Sequence, residues 1–180
     1  TNIMEVKNNT GSVALALSPS NLTLVPNQTT SFSLLIDTQN LKVSAAQIEL
    51  SYNPSHLEIK EIKTSDFLPI ELLKPQVKDG RVKFTYAVPP DSGGKAGTGT
   101  AATINVRARQ AGTSQLSFTP ETMVAAVGYE TNVLSQATDT SINITTSALS
   151  SPNPTLSSSL PTPSFLPEND YNYNSSLDIP

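Results

Sequence analysis

The chain has 180 residues, a formal net charge of −4 and only 14% charged residues, with no cysteine. The missing cysteine removes disulfides, thiolate metal sites and a cysteine nucleophile. The lack of a basic patch argues against a nucleic-acid partner, and no apolar run is long enough to span a membrane. The first residue is Thr1, as expected if a signal segment has been removed or the chain is a piece of a longer one.

Taken in chain order, the pattern has a period of two. Phe32, Leu34 and Ile36 alternate with Ser31, Ser33 and Leu35. Ala46, Ile48, Leu50 and Tyr52 alternate with Ala45, Gln47, Glu49 and Ser51. Val82, Phe84, Tyr86 and Val88 alternate with Arg81, Lys83, Thr85 and Ala87. Ile104, Val106 and Ala108, then Leu116 and Phe118, then Ile142 and Ile144 continue the series. Such alternation predicts strands with one buried face. Turn signals separate the runs: Pro26-Asn27, Asn53-Pro54, Asp79-Gly80, Pro89 to Gly94, and Ala111-Gly112. Ser55 to Lys60 carries the only helical hint and is too short to stand as a helix. Many short strands at this spacing predict an all-β sandwich or barrel.

From Ser147 the texture changes. Ser150-Ser151-Pro152-Asn153-Pro154 and Pro161-Thr162-Pro163 mark a low-complexity linker, expected to be disordered because its apolar content cannot offset the entropy of ordering it. The predicted organisation is an N-terminal extension over 1–11, a β-sandwich over 12–146, a linker over 147–169 and a short final segment over 170–180. That last segment places Asp170, Asn172, Asn174 and Asp178 at positions 1, 3, 5 and 9 of an EF-hand-like loop, with Leu177 at position 8. Calcium takes hard oxygen ligands at this alternate spacing. Position 6 is Ser175 instead of Gly, and the chain stops one residue before the twelfth ligand.

The stretch Ala45 to Ile59, with Tyr52-Asn53-Pro54 followed by Leu57-Glu58-Ile59, resembles a signature segment of cohesin domains. Asp79 to Ala87, Gly99 to Arg107 with Ala111-Gly112, and Phe118 to Asn132 with Val127-Gly128 fall in cohesin-like order behind it. The resemblance covers roughly Val13 to Thr145. It implies a jelly-roll sandwich of about nine strands that binds dockerin modules on scaffolds or cell surfaces of polysaccharide-degrading microbes. In the family, one flat sheet face contacts the dockerin. The corresponding positions here are Ala45, Gln47, Thr85, Ala87 and Val88. The family often carries an amide and a carboxylate at the first pair, and this chain departs from that pattern. Dockerins open with a calcium loop similar to 170–180, so Ca2+ is expected at that end only if a dockerin follows; no other cofactor is implied.

No catalytic site is expected. His56, the sole histidine, sits after Asn53-Pro54 and reads as a loop residue, with no nucleophile beside it. Glu49, Glu58, Glu61, Asp66, Glu71, Asp79 and Asp91 are scattered, and the first three read as solvated strand positions. Tyr52 and Tyr86 fall on the inward phase, which leaves Tyr129 as the one candidate platform for a sugar outside the tail. Sequons at Asn8, Asn21, Asn27, Asn143 and Asn174 matter only with a glycosylating host. The expected role is a non-catalytic, extracellular or cell-surface protein-interaction module. The alternatives are a carbohydrate-binding module, with polysaccharide as the partner, or a structural spacer. An exposed row of aromatic residues would mark the first alternative, and featureless polar faces the second.

Overall fold

The computed structural model describes residues 12–146. They form a two-sheet β-sandwich of twelve strands and one short 3-10 turn, Pro90–Ser92. The strands are β1 (Val13–Ser18), β2 (Asn21–Leu24), β3 (Thr29–Asp37), β4 (Val43–Ser51), β5 (Leu57–Thr64), β6 (Ile70–Lys78), β7 (Arg81–Ala87), β8 (Thr98–Ala108), β9 (Gly112–Phe118), β10 (Met123–Ala126), β11 (Leu134–Thr138) and β12 (Thr140–Ile144). One sheet runs β11-β1-β3-β8-β5. The other runs β2-β12-β9-β4-β7-β6, with β10 also paired to β4. The count exceeds nine because short pieces such as β2, β10 and β11 each form a ladder of their own. The stretch with the helical hint enters β5 at Leu57 instead.

The alternation read from the sequence becomes the core. Phe32, Leu34 and Ile36 of β3 and Ile104 and Val106 of β8 meet Ile48 and Leu50 of β4 and Val82, Phe84 and Tyr86 of β7 in one buried cluster. Burying side chains of this size stabilises the fold by roughly 1.5–3 kcal/mol each before conformational entropy is counted. The Phe84 and Tyr86 rings lie 4.8 Å apart and tilted, and the buried Tyr86 hydroxyl donates to the Ile62 carbonyl at 3.3 Å. Tyr52 is only half-buried, packed on the margin of that cluster.

Local chemistry fixes which strands lie side by side. Asp79 and Gly80 both have positive φ, 51° and 75°, and join Lys78 to Arg81 across a two-residue hairpin. Asp-Gly suits this turn because both central residues must be left-handed. A Cβ on Gly80 would lie 2.7 Å from the Tyr52 carbonyl oxygen. The hairpin sets β6 on the outside of β7, where it forms a sheet edge. Pro75 and two register shifts interrupt the β6–β7 ladder, a common protection of an edge strand against stray pairing.

Candidate protein-docking face

The central pair of the larger sheet is β4–β7, in register from Ala45↔Ala87 through Gln47↔Thr85 to Glu49↔Lys83. On the other side of β4, β10 pairs Ala125↔Ala45 and Met123↔Gln47. Beyond β7, Ile70 of β6 pairs with Ala87. Two rows therefore cross the outer face. One reads Ala125, Ala45, Ala87, Ile70, and the next begins Met123, Gln47, Thr85. Small side chains in the first row keep the backbone open to close approach. Of the large apolar side chains exposed among the described residues, all but Leu35 belong to β6, β10 or the turn after β10: Ile70, Leu72, Val77, Met123, Val127 and Tyr129.

Ala45, Gln47 and Thr85 line one shallow pocket of about 260 Å³ with Met123 and Tyr129. Ala87 and Val88 differ from expectation, being 5% and 7% exposed. Val88 follows Tyr86 on the inward phase and packs in the core cluster, so it is no surface contact. Ala87 keeps the outward register but is too short to rise above its neighbours. The sequence singles out Tyr129 only as a candidate platform for a sugar, and does not single out Met123. Their signal, a large apolar side chain at an unsheltered position, appears only once β10 is placed against β4.

Glu49 also departs from the solvated position read for it. It is only 8% exposed. Its Oε1 accepts from Arg81 Nη1 at 2.8 Å and from Thr119 Oγ1 at 3.1 Å. Its backbone N–H donates to Thr122 Oγ1, which in turn donates to the Glu49 carbonyl. A carboxylate with its lone pairs occupied in this way stitches β4 to the 119–122 turn. Gln47 is similarly engaged, donating from Nε2 to the Glu121 carbonyl at 2.9 Å.

The turn after β10 is tightly held. Tyr129 N–H donates to the Ala126 carbonyl at 3.1 Å, and Gly128 between them has φ 82°, the pattern of a type II turn. Asn132 Oδ1 accepts from the Val124 and Leu134 amides at 2.9 and 3.0 Å. Tyr129 is thus presented on a fixed support, 50% exposed, with Met123 46% exposed beside the same pocket.

His56 is half-buried over Gly112, and its Nδ1 lies 3.2 Å from the Gln110 carbonyl. No group of three or more His, Cys, Asp or Glu able to hold a metal occurs among the described residues. No helix among them is long and apolar enough to cross a membrane. Asp170, Asn172, Asn174 and Asp178, the linker, the N-terminal extension and the sequons at Asn8 and Asn174 lie outside the described residues. Asn21 and Asn143 are exposed on the neighbouring strands β2 and β12, and Asn27 occupies a positive-φ turn position.

The fold and the sequence agree with one family. A family model for the cohesin domain matches residues 20–144. Among solved structures, CaCohA2 from Clostridium acetobutylicum is similar at 19% identity and a TM-score of 0.65, over 77% of this chain and 94% of that one. A non-cellulosomal cohesin from the hyperthermophilic archaeon Archaeoglobus fulgidus is similar at 16% identity and a TM-score of 0.60, over 74% and 91%. A type I cohesin–dockerin complex from Clostridium thermocellum contains a chain similar at 12% identity and a TM-score of 0.62, over 74% and 94%. No curated protein matches the sequence significantly. The family model spans more than half of the chain, and the chain belongs to the cohesin domain family.

Proposed function

We propose that this chain is a non-catalytic, extracellular interaction module of a scaffold or cell-surface protein that binds a dockerin-type partner through the outer face of β10, β4, β7 and β6. The observation that carries the reading is the exposure of Met123, Tyr129 and Ile70 around the small-residue strip Ala125-Ala45-Ala87, on the face that the resemblance assigns to the partner. Four strands at about 4.8 Å spacing give a strip about 14 Å across. A helix of about 10–12 Å diameter fits across such a strip with about nine residues in reach.

The carbohydrate-binding alternative would need a row of exposed rings, and Tyr129 alone is an exposed large aromatic residue among the described residues. The spacer alternative would need polar, featureless faces, which the apolar cluster does not provide. In this reading the sandwich needs no metal of its own, and any calcium requirement lies in the partner's loops. The C-terminal residues Asp170, Asn172, Asn174 and Asp178 would take Ca2+ only as the opening of a dockerin that continues beyond them.

The test is calorimetric titration of the 180-residue chain with calcium-loaded dockerin modules, repeated after chelation of the calcium. Binding that disappears on chelation supports the reading. Retention on polysaccharide with no dockerin bound would overturn it.

A further inference from the structure

The proposed docking face lacks charge where it is most central. In the two rows Ala125-Ala45-Ala87-Ile70 and Met123-Gln47-Thr85 no side chain is ionisable, and the one charged residue that lines their pocket is Glu130, at the rim beside Tyr129. The first ionisable pair along the strands is Glu49↔Lys83, one row further on, and Glu49 is already bound to Arg81 and Thr119. Gln47, the one side-chain amide in the rows, has one of its two N–H donors committed to the Glu121 carbonyl. A partner arriving here finds few unspent hydrogen-bond donors at the centre. It finds two large apolar side chains at the β10 rim, one of them on a pre-formed turn.

Affinity at protein interfaces concentrates in a few large side chains, with tyrosine prominent among them. A rigidly presented side chain also loses little freedom on binding. A partner that brought a charge over the alanine row would have to strip it of water with no counter-charge within either row, at a net loss. Resting on the dockerin reading above, we propose that this face selects its partner by an uncharged, apolar contact, with Met123 and Tyr129 carrying the affinity in place of Ala45 and Gln47. The dockerin that fits presents aliphatic or small residues to the alanine row and none of its charges there.

The experiment uses the 180-residue chain and a panel of calcium-loaded dockerin modules whose contact positions are either aliphatic or charged. Binding is measured at about 50 mM and about 500 mM NaCl, a range over which exposed charge contacts are strongly screened. The expected result is binding by the aliphatic class alone, changing less than about threefold with salt. Met123→Ala and Tyr129→Ala should each weaken it about tenfold or more, while Tyr129→Phe retains it. Both rim side chains are exposed, so the variants should fold as the parent does, which thermal melting checks. Binding that weakens about tenfold with salt, preference for the charged class, or indifference to both rim variants would overturn this inference and leave the dockerin reading standing. Failure of every dockerin to bind in calcium would overturn the dockerin reading, and this inference with it.

Discussion

The two sheets show the same alternation of inward apolar and outward polar positions, yet their outer surfaces differ. On the smaller sheet, the outward face of β5 and the adjoining end of β8 carries a web of opposite charges. Glu58 lies 3.4 Å from Lys60, 3.8 Å from Arg107 and 3.7 Å from Arg109, and Lys63 lies 3.1 Å from Glu61. Asn105 links Glu61 to Ser31. Desolvation pushes the Glu58 carboxyl up, but the Lys60 hydrogen bond and the charges of Lys60, Arg109 and Arg107 together hold it below the usual carboxylate value. On the larger sheet, the two rows of β10, β4 and β7 around Ala45 and Gln47 carry alanine, threonine, glutamine and methionine instead, and charge returns only further along the strands, at Glu49, Lys83 and Arg81. Exposed charge pairs contribute little to stability, so the web on the first sheet serves mainly to keep that surface wet. The second surface leaves apolar area uncovered in water, an arrangement that marks an interaction site. Alternation specifies the fold, and the chemistry of the outward positions distinguishes a solvated face from a docking face.

That contrast can be broken from beneath. Phe84 is fully buried under the docking face against Tyr86. Phe84→Ala should cost about 3–5 kcal/mol through lost burial and a cavity, read by urea denaturation. Both faces should fail together, because one core supports them. A smaller loss, about 1–3 kcal/mol, is expected for Glu49→Ala, which strips Arg81 and Thr119 of their acceptor, and chemical denaturation reports it. The same change should slacken the 119–122 turn beside Met123 and weaken partner binding.

Next in size is an alkaline effect. Burial, with a smaller push from Glu71, raises the Tyr86 phenol from 10.0 to about 12. A folded-state value above the unfolded one means that the folded protein holds the proton more tightly. The associated stability is complete below pH 10.0 and is lost as pH rises toward about 12. Tyr86→Phe should flatten that part of the stability profile, measured by melting from neutral to alkaline pH. The smallest effect belongs to the charged face. Glu58→Gln should lower neutral-pH melting only slightly, because the group is exposed, and that small difference should fade on acidification, as the depressed carboxyl of the parent takes up its proton.

Much of this was legible in the sequence, and the misses have physical reasons. The strands around Phe32, Ile48, Phe84 and Ile104 announce themselves because each is buried on one face and wet on the other. Strand β6 does not, because as an edge strand with Pro75 it is exposed along most of its length and shows no alternation. In β1, Ala14 and Ala16 between Val13, Leu15 and Leu17 blur the period. Ala45, Gln47 and Thr85 could be assigned to one face from their phase. Val88 could have been excluded on the same ground, as the next inward position after Tyr86. Met123 and Tyr129 could not be placed, since their nearness to Gln47 depends on β10 pairing with β4 across more than seventy positions of chain, a contact with no local signature.

The most direct test of the central claim places one charge on each face. Thr85→Asp puts a carboxylate at the middle of the docking face, and Thr103→Asp puts one on the outer face of β8, opposite Lys63. Both variants and the parent would be titrated with a calcium-loaded dockerin of the aliphatic class. The account predicts a loss of about a hundredfold or more for Thr85→Asp and no change for Thr103→Asp. Equal binding by all three, or a loss confined to Thr103→Asp, would contradict it.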